Sequence, residues 1–239
     1  MKRILLATAL LSLLATSAFA VGVDLSVGAC PGDAGASADA GSLDCAGGTN
    51  VTVLATFMPA EDISDLVELD MIFDLVVDGD VSTNATFWDF ETVNHSAISL
   101  HHERPTGGCS NYTDVWNVDG GGAVGGVAIS LPSKVRIGAI SYRPTKAAVL
   151  ANQRLFGIQL VLDTHQAIEG TGSAPGCTRG VCMVLQRATP VSAGGLPTTT
   201  LADPSVFGNQ STFNGGSDSM CFAVPAVRHT WGQLKSLYR

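Results

Sequence analysis

With 239 residues, a formal net charge of −8 and 46% hydrophobic side chains, the chain is long enough for one large β domain or two small ones. Its acidic balance excludes nucleic acid as a natural partner. Fifteen acidic residues and no Lys or Arg lie between Val21 and Glu103, whereas eleven basic and six acidic residues follow from Arg104 onward. That asymmetry suits head-to-tail association or cation binding, or marks two differently solvated ends of one domain.

The chain opens with Lys2 and Arg3, an apolar run from Ile4 to Ala15, and the small-x-small pattern Ala18-Phe19-Ala20. This predicts a signal peptide over 1–20, cleaved after Ala20, because the run is shorter than the about 20 residues a membrane span needs. Loss of Lys2 and Arg3 takes the net charge of the mature chain from −8 to −10. No later segment is long and apolar enough to be transmembrane, so a secreted or cell-surface location is expected.

Period-2 alternation then dominates. Val21, Val23, Leu25 and Val27 share one strand face, and Val51, Val53, Ala55 and Phe57 share another in a run that stops at Pro59. Between them, Gly32 to Gly48 is rich in Ala, Gly and Asp and reads as a loop. Val67, Leu69, Met71, Phe73, Leu75 and Val77 alternate with Glu68, Asp70, Asp74 and Asp78, with Ile72 and Val76 between the acids. A dozen alternating residues fit a strand and not a helix. Asp78-Gly79 suits a tight turn, which predicts that Val81 to Phe90 returns beside this strand.

Gly120, Gly122 and Gly125 match the spacing of a dinucleotide-binding loop, but Gly126 to Leu131 continues like a strand where such a loop opens a helix. A glycine-rich turn is the expectation. Val135 to Tyr142, Phe156 to Leu162, Val181 to Ala188 and Met220 to Val224 are further strands. Ala188 to Ser219 is weakly patterned and is expected to wander over the surface. About nine or ten short strands without helical periodicity indicate an all-β single sandwich, jelly-roll or cohesin-like, over 21–225. A tail over 226–239 follows, where Thr230 and Gln233 suit a capping box. Trp231, Leu234, Leu237 and Tyr238 would share one side of a short helix, with Lys235 and Arg239 near its C-terminus.

Cys30, Cys45, Cys109, Cys177, Cys182 and Cys221 form an even set, which in an exported chain reads as a disulfide framework. Of the 15 pairings that six cysteines allow, local staples Cys30–Cys45 and Cys177–Cys182 are favoured. Cys109–Cys221 would then close the long loop, worth about 4–5 kcal/mol in the chain-entropy model. No C-x-x-C pair suggests zinc instead.

No site stands out. His101-His102-Glu103 offers metal donors, but neighbouring strand residues point to opposite faces. Ten carboxylates between Glu61 and Glu91 include Asp62, Asp65, Asp78 and Asp80 as possible calcium donors, without EF-hand order. The alternative is a solvated acidic sheet face. No other cofactor is implied. Trp88, Tyr112 and Trp116 present aromatic rings either to a sugar ligand or to the core. Carboxylates are numerous enough for a secreted glycoside hydrolase, but no particular pair is selected. No G-x-S-x-G elbow is present.

Two resemblances add to this. Leu66 to Asp78 resembles the early strand of cohesin-like sandwiches, and Arg154 to Asp163 their later core strand, which implies a sandwich, with no dockerin-binding residue carried over. The ending Thr230-Trp231-Gly232-Gln233-Leu234-Lys235-Ser236-Leu237-Tyr238-Arg239 is similar to the T-W-G-x-x-K-x-L-Y-R tail of a group of uncharacterised secreted bacterial proteins, which implies sorting or assembly. The expectation is therefore a non-catalytic surface, adhesive or structural module. Its partners would be a cell-surface protein, a polysaccharide or a second copy, and the alternatives are a carbohydrate-binding module, calcium-stabilised or not, and a hydrolase.

Overall fold

The structure, a computed structural model, describes residues 21–79, 87–91, 94–167, 175–202, 208–217 and 221. The predicted signal peptide, the calcium candidate Asp80, the strand over Met220 to Val224 (Cys221 excepted) and the 226–239 tail lie outside the described residues.

Alternation decides which face each strand buries, and β3 (Ile63–Val77) shows both the rule and its exception. Leu69, Met71, Phe73, Leu75 and Val77 are buried as the pattern requires. Val67 is only half-buried, because the register shifts between Leu66 and Glu68 and brings fully buried Leu66 into the core instead. One extra residue in a period-2 strand moves everything beyond it to the opposite face.

The other strands are β1 (Gly22–Val27), β2 (Asn50–Met58), β4 (Ile98–His101), β5 (Gly122–Leu131), β6 (Lys134–Val149), β7 (Leu155–Asp163), β8 (Val181–Ser192), β9 (Leu196–Pro197) and β10 (Gln210–Phe213). They form two sheets, β1-β2-β7-β4 and β10-β8-β3-β6-β5, with β9 attached to β8. The pairings between these strands are all antiparallel. Two facing sheets bury what one sheet would leave wet, and the expected all-β sandwich is what forms.

The two edges of the sandwich close differently. At one, residues 37–41 tie β1 to β10: Val27 bridges Ser37, Ala40 N–H donates to the Thr212 carbonyl, and Asn214 N–H donates to the Gly41 carbonyl. At the other, Leu100 of β4 lies against Gly125 of β5, where a Cβ would collide with that leucine and with the Gly138 carbonyl. The absent side chain is what lets the two sheets approach there. Gly120 and Gly122 accordingly lead from a turn into a strand, not into a phosphate-binding helix.

Several expectations are corrected. β6 and β8 occupy both edges of β3 up to Val76, and residues 87–90 are in turns and not in a strand beside it; the rest of the expected return strand lies outside the described residues. β8 extends to Ser192, and β10 inserts fully buried Phe213, so the described part of 188–219 contributes strands to the sandwich and is not only a surface loop. The cysteines form three disulfides with none of the expected pairings: Cys30–Cys109, Cys45–Cys177 and Cys182–Cys221. Nearness in sequence misleads because each expected partner faces away. Cys30 meets the 104–117 loop, Cys45 meets the turn before β8, and Cys182 projects from the outer side of its sheet. Among the described residues no helix is long and apolar enough to cross a membrane.

Candidate contact face

In-register pairing across the larger sheet sorts its side chains into an inner and an outer face. On the outer face, Val191, Glu68, Tyr142 and Gly122 form one row. Thr189, Asp70, Ile140 and Val124 form the next, followed by Arg187, Ile72, Gly138 and Gly126. Val124 is 53% and Tyr142 40% exposed, and Ile72 and Ile140 are half-buried beside them. The Tyr142 ring lies across Gly122, and a Cβ at Gly126 would meet nothing within 4 Å. The result is a surface patch, apolar at its centre, on the three inner strands β8, β3 and β6 and the edge strand β5. Exposed apolar groups clustered this way on rigid elements characterise contact surfaces.

Glu68 and Asp70 border the apolar centre from β3, two residues apart and therefore on one face. Asp70 Oδ1 is buried and has no hydrogen-bond partner among the described residues. The Glu68 carboxyl is pushed above its ordinary range, first by burial, then by its hydrogen bond to Asp70 and by that neighbour's charge. A proton on Glu68 supplies the donor that Asp70 lacks. Because the folded state holds this proton more tightly than the unfolded chain, Glu68 costs stability as pH rises through its folded pKa. It costs nothing below its unfolded value. Glu68→Gln is therefore expected to raise the melting temperature at neutral pH, with the gain disappearing under acid; a gain independent of pH would contradict this origin.

One row further, Asp74 departs from the expected solvated acidic face. It is 1% exposed, accepts from Arg136 Nε and Nη2 at 2.8 and 3.0 Å, and meets Lys134 Nζ at 2.6 Å. Asp74 holds the Arg136 pKa above its ordinary value. Removing one partner of a buried ion pair leaves an uncompensated charge, and Lys134 is itself buried. Asp74→Asn is expected to cost about 3–5 kcal/mol in urea unfolding, whereas a loss under about 1 kcal/mol would mean the cluster is solvated in solution.

The aromatic candidates lie elsewhere and are core residues. Trp88 and Trp116 are fully buried and Tyr112 is 4% exposed. Each polar end meets a backbone carbonyl: Trp88 Nε1–H donates to Gly176, Trp116 Nε1–H to Phe156 and the Tyr112 hydroxyl to Pro31. Burial above all raises the Tyr112 pKa. None of the three rings offers a face to a sugar. The expectation of an aromatic platform is corrected for the reason that makes Trp and Tyr good core residues, an apolar body with one satisfiable polar atom.

The calcium candidates do not converge. Asp62 and Asp65 flank the start of β3, Asp62 accepting from the Ala151 N–H, while Asp78 follows its far end. A strand of this length separates them by about 40 Å. His101 contacts Ser99, and His102 Nε2 lies 3.9 Å from Glu103. Among the described residues no three His, Cys, Asp or Glu side chains group as metal ligands do.

No protein-family model matches this sequence, and no curated protein does. The fold is weakly similar to a cohesin module from a family 33 glycoside hydrolase of Clostridium perfringens. The TM-score is 0.35 and the identity 6%, over 81% of this chain and 98% of that one. The similarity is one of fold alone.

Proposed function

We propose that this protein is a secreted, non-catalytic module that binds a protein partner of a cell-surface or extracellular assembly through the outer face of its larger sheet. Its C-terminal tail would serve sorting or assembly. The observation that supports this is the pairing of exposed Val124 and Tyr142 with half-buried Ile72 and Ile140 in one patch edged by carboxylates. Tyr142, Ile140 and Ile72 stand on β6 and β3, which are paired on both sides, and Val124 on the edge strand β5, so binding would order few side chains. Three disulfides suit an oxidising compartment.

Val124→Arg tests the face, since Val124 points to solvent and its replacement leaves the core intact. In the native host the wild-type chain is expected to fractionate with the cell envelope or with a larger complex. The variant is expected in the medium, with an unchanged melting temperature. Identical fractionation of the two would overturn the reading.

A further inference from the structure

The disulfide Cys182–Cys221 has a consequence for this face. Cys182 pairs in register with Val76 and projects outward, and it forms with Val184 and Cys221 a small buried cluster separate from the main core. Cys221, which residues 222–239 follow in sequence, therefore stands on the outer face of the larger sheet, at its Val76 end. We propose that this face is the docking site for the chain's own C-terminal segment, whose basic and aromatic side chains cover the Val124–Tyr142 patch and meet Glu68 and Asp70. The inference shares its surface with the reading above and names an occupant for it.

Reach permits this. From Val76 to Glu68 is eight residues of β3, about 26 Å. The nine residues from Cys221 to Thr230 span up to about 30 Å, which brings Trp231 level with Tyr142. Chemistry favours it as well. The segment holds Arg228, Lys235 and Arg239 and no acidic residue, and Trp231, Leu234, Leu237 and Tyr238 recur at helical spacing. On the face, Arg136 and Lys134 are already engaged by Asp74, and Arg187 sits beside Ile72. Glu68 pairs in register with Tyr142, and Asp70 stands two residues on, beside Ile140; Arg143 and Lys146 follow Tyr142 along β6. A lysine or arginine of the tail would meet the two carboxyls of β3. The covalent anchor makes docking intramolecular, so the segment covers the face until a partner of higher affinity displaces it.

The test places a photoreactive benzoylphenylalanine at position 231 of the full chain, and mass spectrometry maps the crosslinks in a mixture of isotopically light and heavy protein. The expected result is crosslinks within single chains, onto β5 and β6 near Val124, Ile140 and Tyr142. Combined Glu68→Lys and Asp70→Lys should lower their yield about tenfold. Crosslinks between light and heavy chains, crosslinks elsewhere, or a yield insensitive to those reversals would overturn it. Loss of the crosslink while Val124→Arg still releases the protein would reject the tail inference alone. The crosslink without any effect of Val124→Arg on fractionation would instead reject the partner-binding reading and leave self-docking standing.

Discussion

Replacing both Cys45 and Cys177 by serine is expected to destabilise the protein by about 5 kcal/mol, the largest effect of any disulfide removal here. The separation is 132 residues, against 79 for Cys30–Cys109 and 39 for Cys182–Cys221. In the chain-entropy model those shorter closures contribute about 4.5 and about 4 kcal/mol. The two longer loops overlap, so the losses should not add fully. Local structure reinforces the ranking. Asn214, at the end of β10, accepts from the Leu43 N–H and donates to the Cys177 and Arg179 carbonyls. It thereby joins the same two segments that the disulfide joins. Against a typical stability of about 5–15 kcal/mol, such a loss removes much of the fold's margin. Urea midpoints of the three double-serine variants, measured side by side, check the order. A largest loss for Cys182→Ser/Cys221→Ser would show that contacts near Cys221, and not loop closure, govern the disulfides.

That ranking is opposite to what spacing alone suggests, and the reason bears on what this sequence discloses. Period-2 alternation makes strands such as β2, β3 and β7 legible, because burying one face of a pleated strand demands it. The short strands β4, β9 and β10 are not legible. Four residues or fewer carry too little alternation, and they are strands because long neighbours offer them an edge. Disulfide partners belong to tertiary topology in the same way. Cys30 and Cys45 flank one glycine-rich loop but face different segments across the fold.

The contact face was half visible. Glu68, Asp70, Ile72 and Asp74 all stand on the polar side of the alternating strand, and the two apolar residues on that side, Ile72 and Val76, were its signal. What the strand alone conceals is its cross-strand neighbours. Ile140 and Val124 arrive from segments some 50–70 residues later and turn an acidic stripe into a mixed patch. Asp74 is concealed for the same reason, since Arg136 and Lys134, which make its burial tolerable, lie one strand away. The aromatic residues err in the other direction. A Trp in a Gly-rich, polar stretch looks exposed, yet backbone pairing pulls that stretch down onto the sandwich.

Trp116 makes that last point measurable. Its segment is docked along the start of β7: Thr113 N–H donates to the Arg154 carbonyl, Phe156 N–H donates to the Thr113 carbonyl, and the Trp116 indole N–H returns to the Phe156 carbonyl at 2.7 Å. Arg143 closes the arrangement by donating to the Val115 carbonyl. Trp116→Ala removes a fully buried ring and is expected to cost about 3–5 kcal/mol in urea unfolding. Trp116→Phe keeps most of the apolar volume but leaves the Phe156 carbonyl without its donor, which predicts a smaller loss of about 1–3 kcal/mol. The pair of variants separates packing from hydrogen bonding, because alanine loses both and phenylalanine mainly the second. A surface ring that stacks on a sugar behaves otherwise: alanine would abolish glycan retention and leave the unfolding midpoint nearly unchanged. A large stability loss therefore assigns Trp116 to the core and leaves the outer face of the larger sheet as the surface on which to look for a partner.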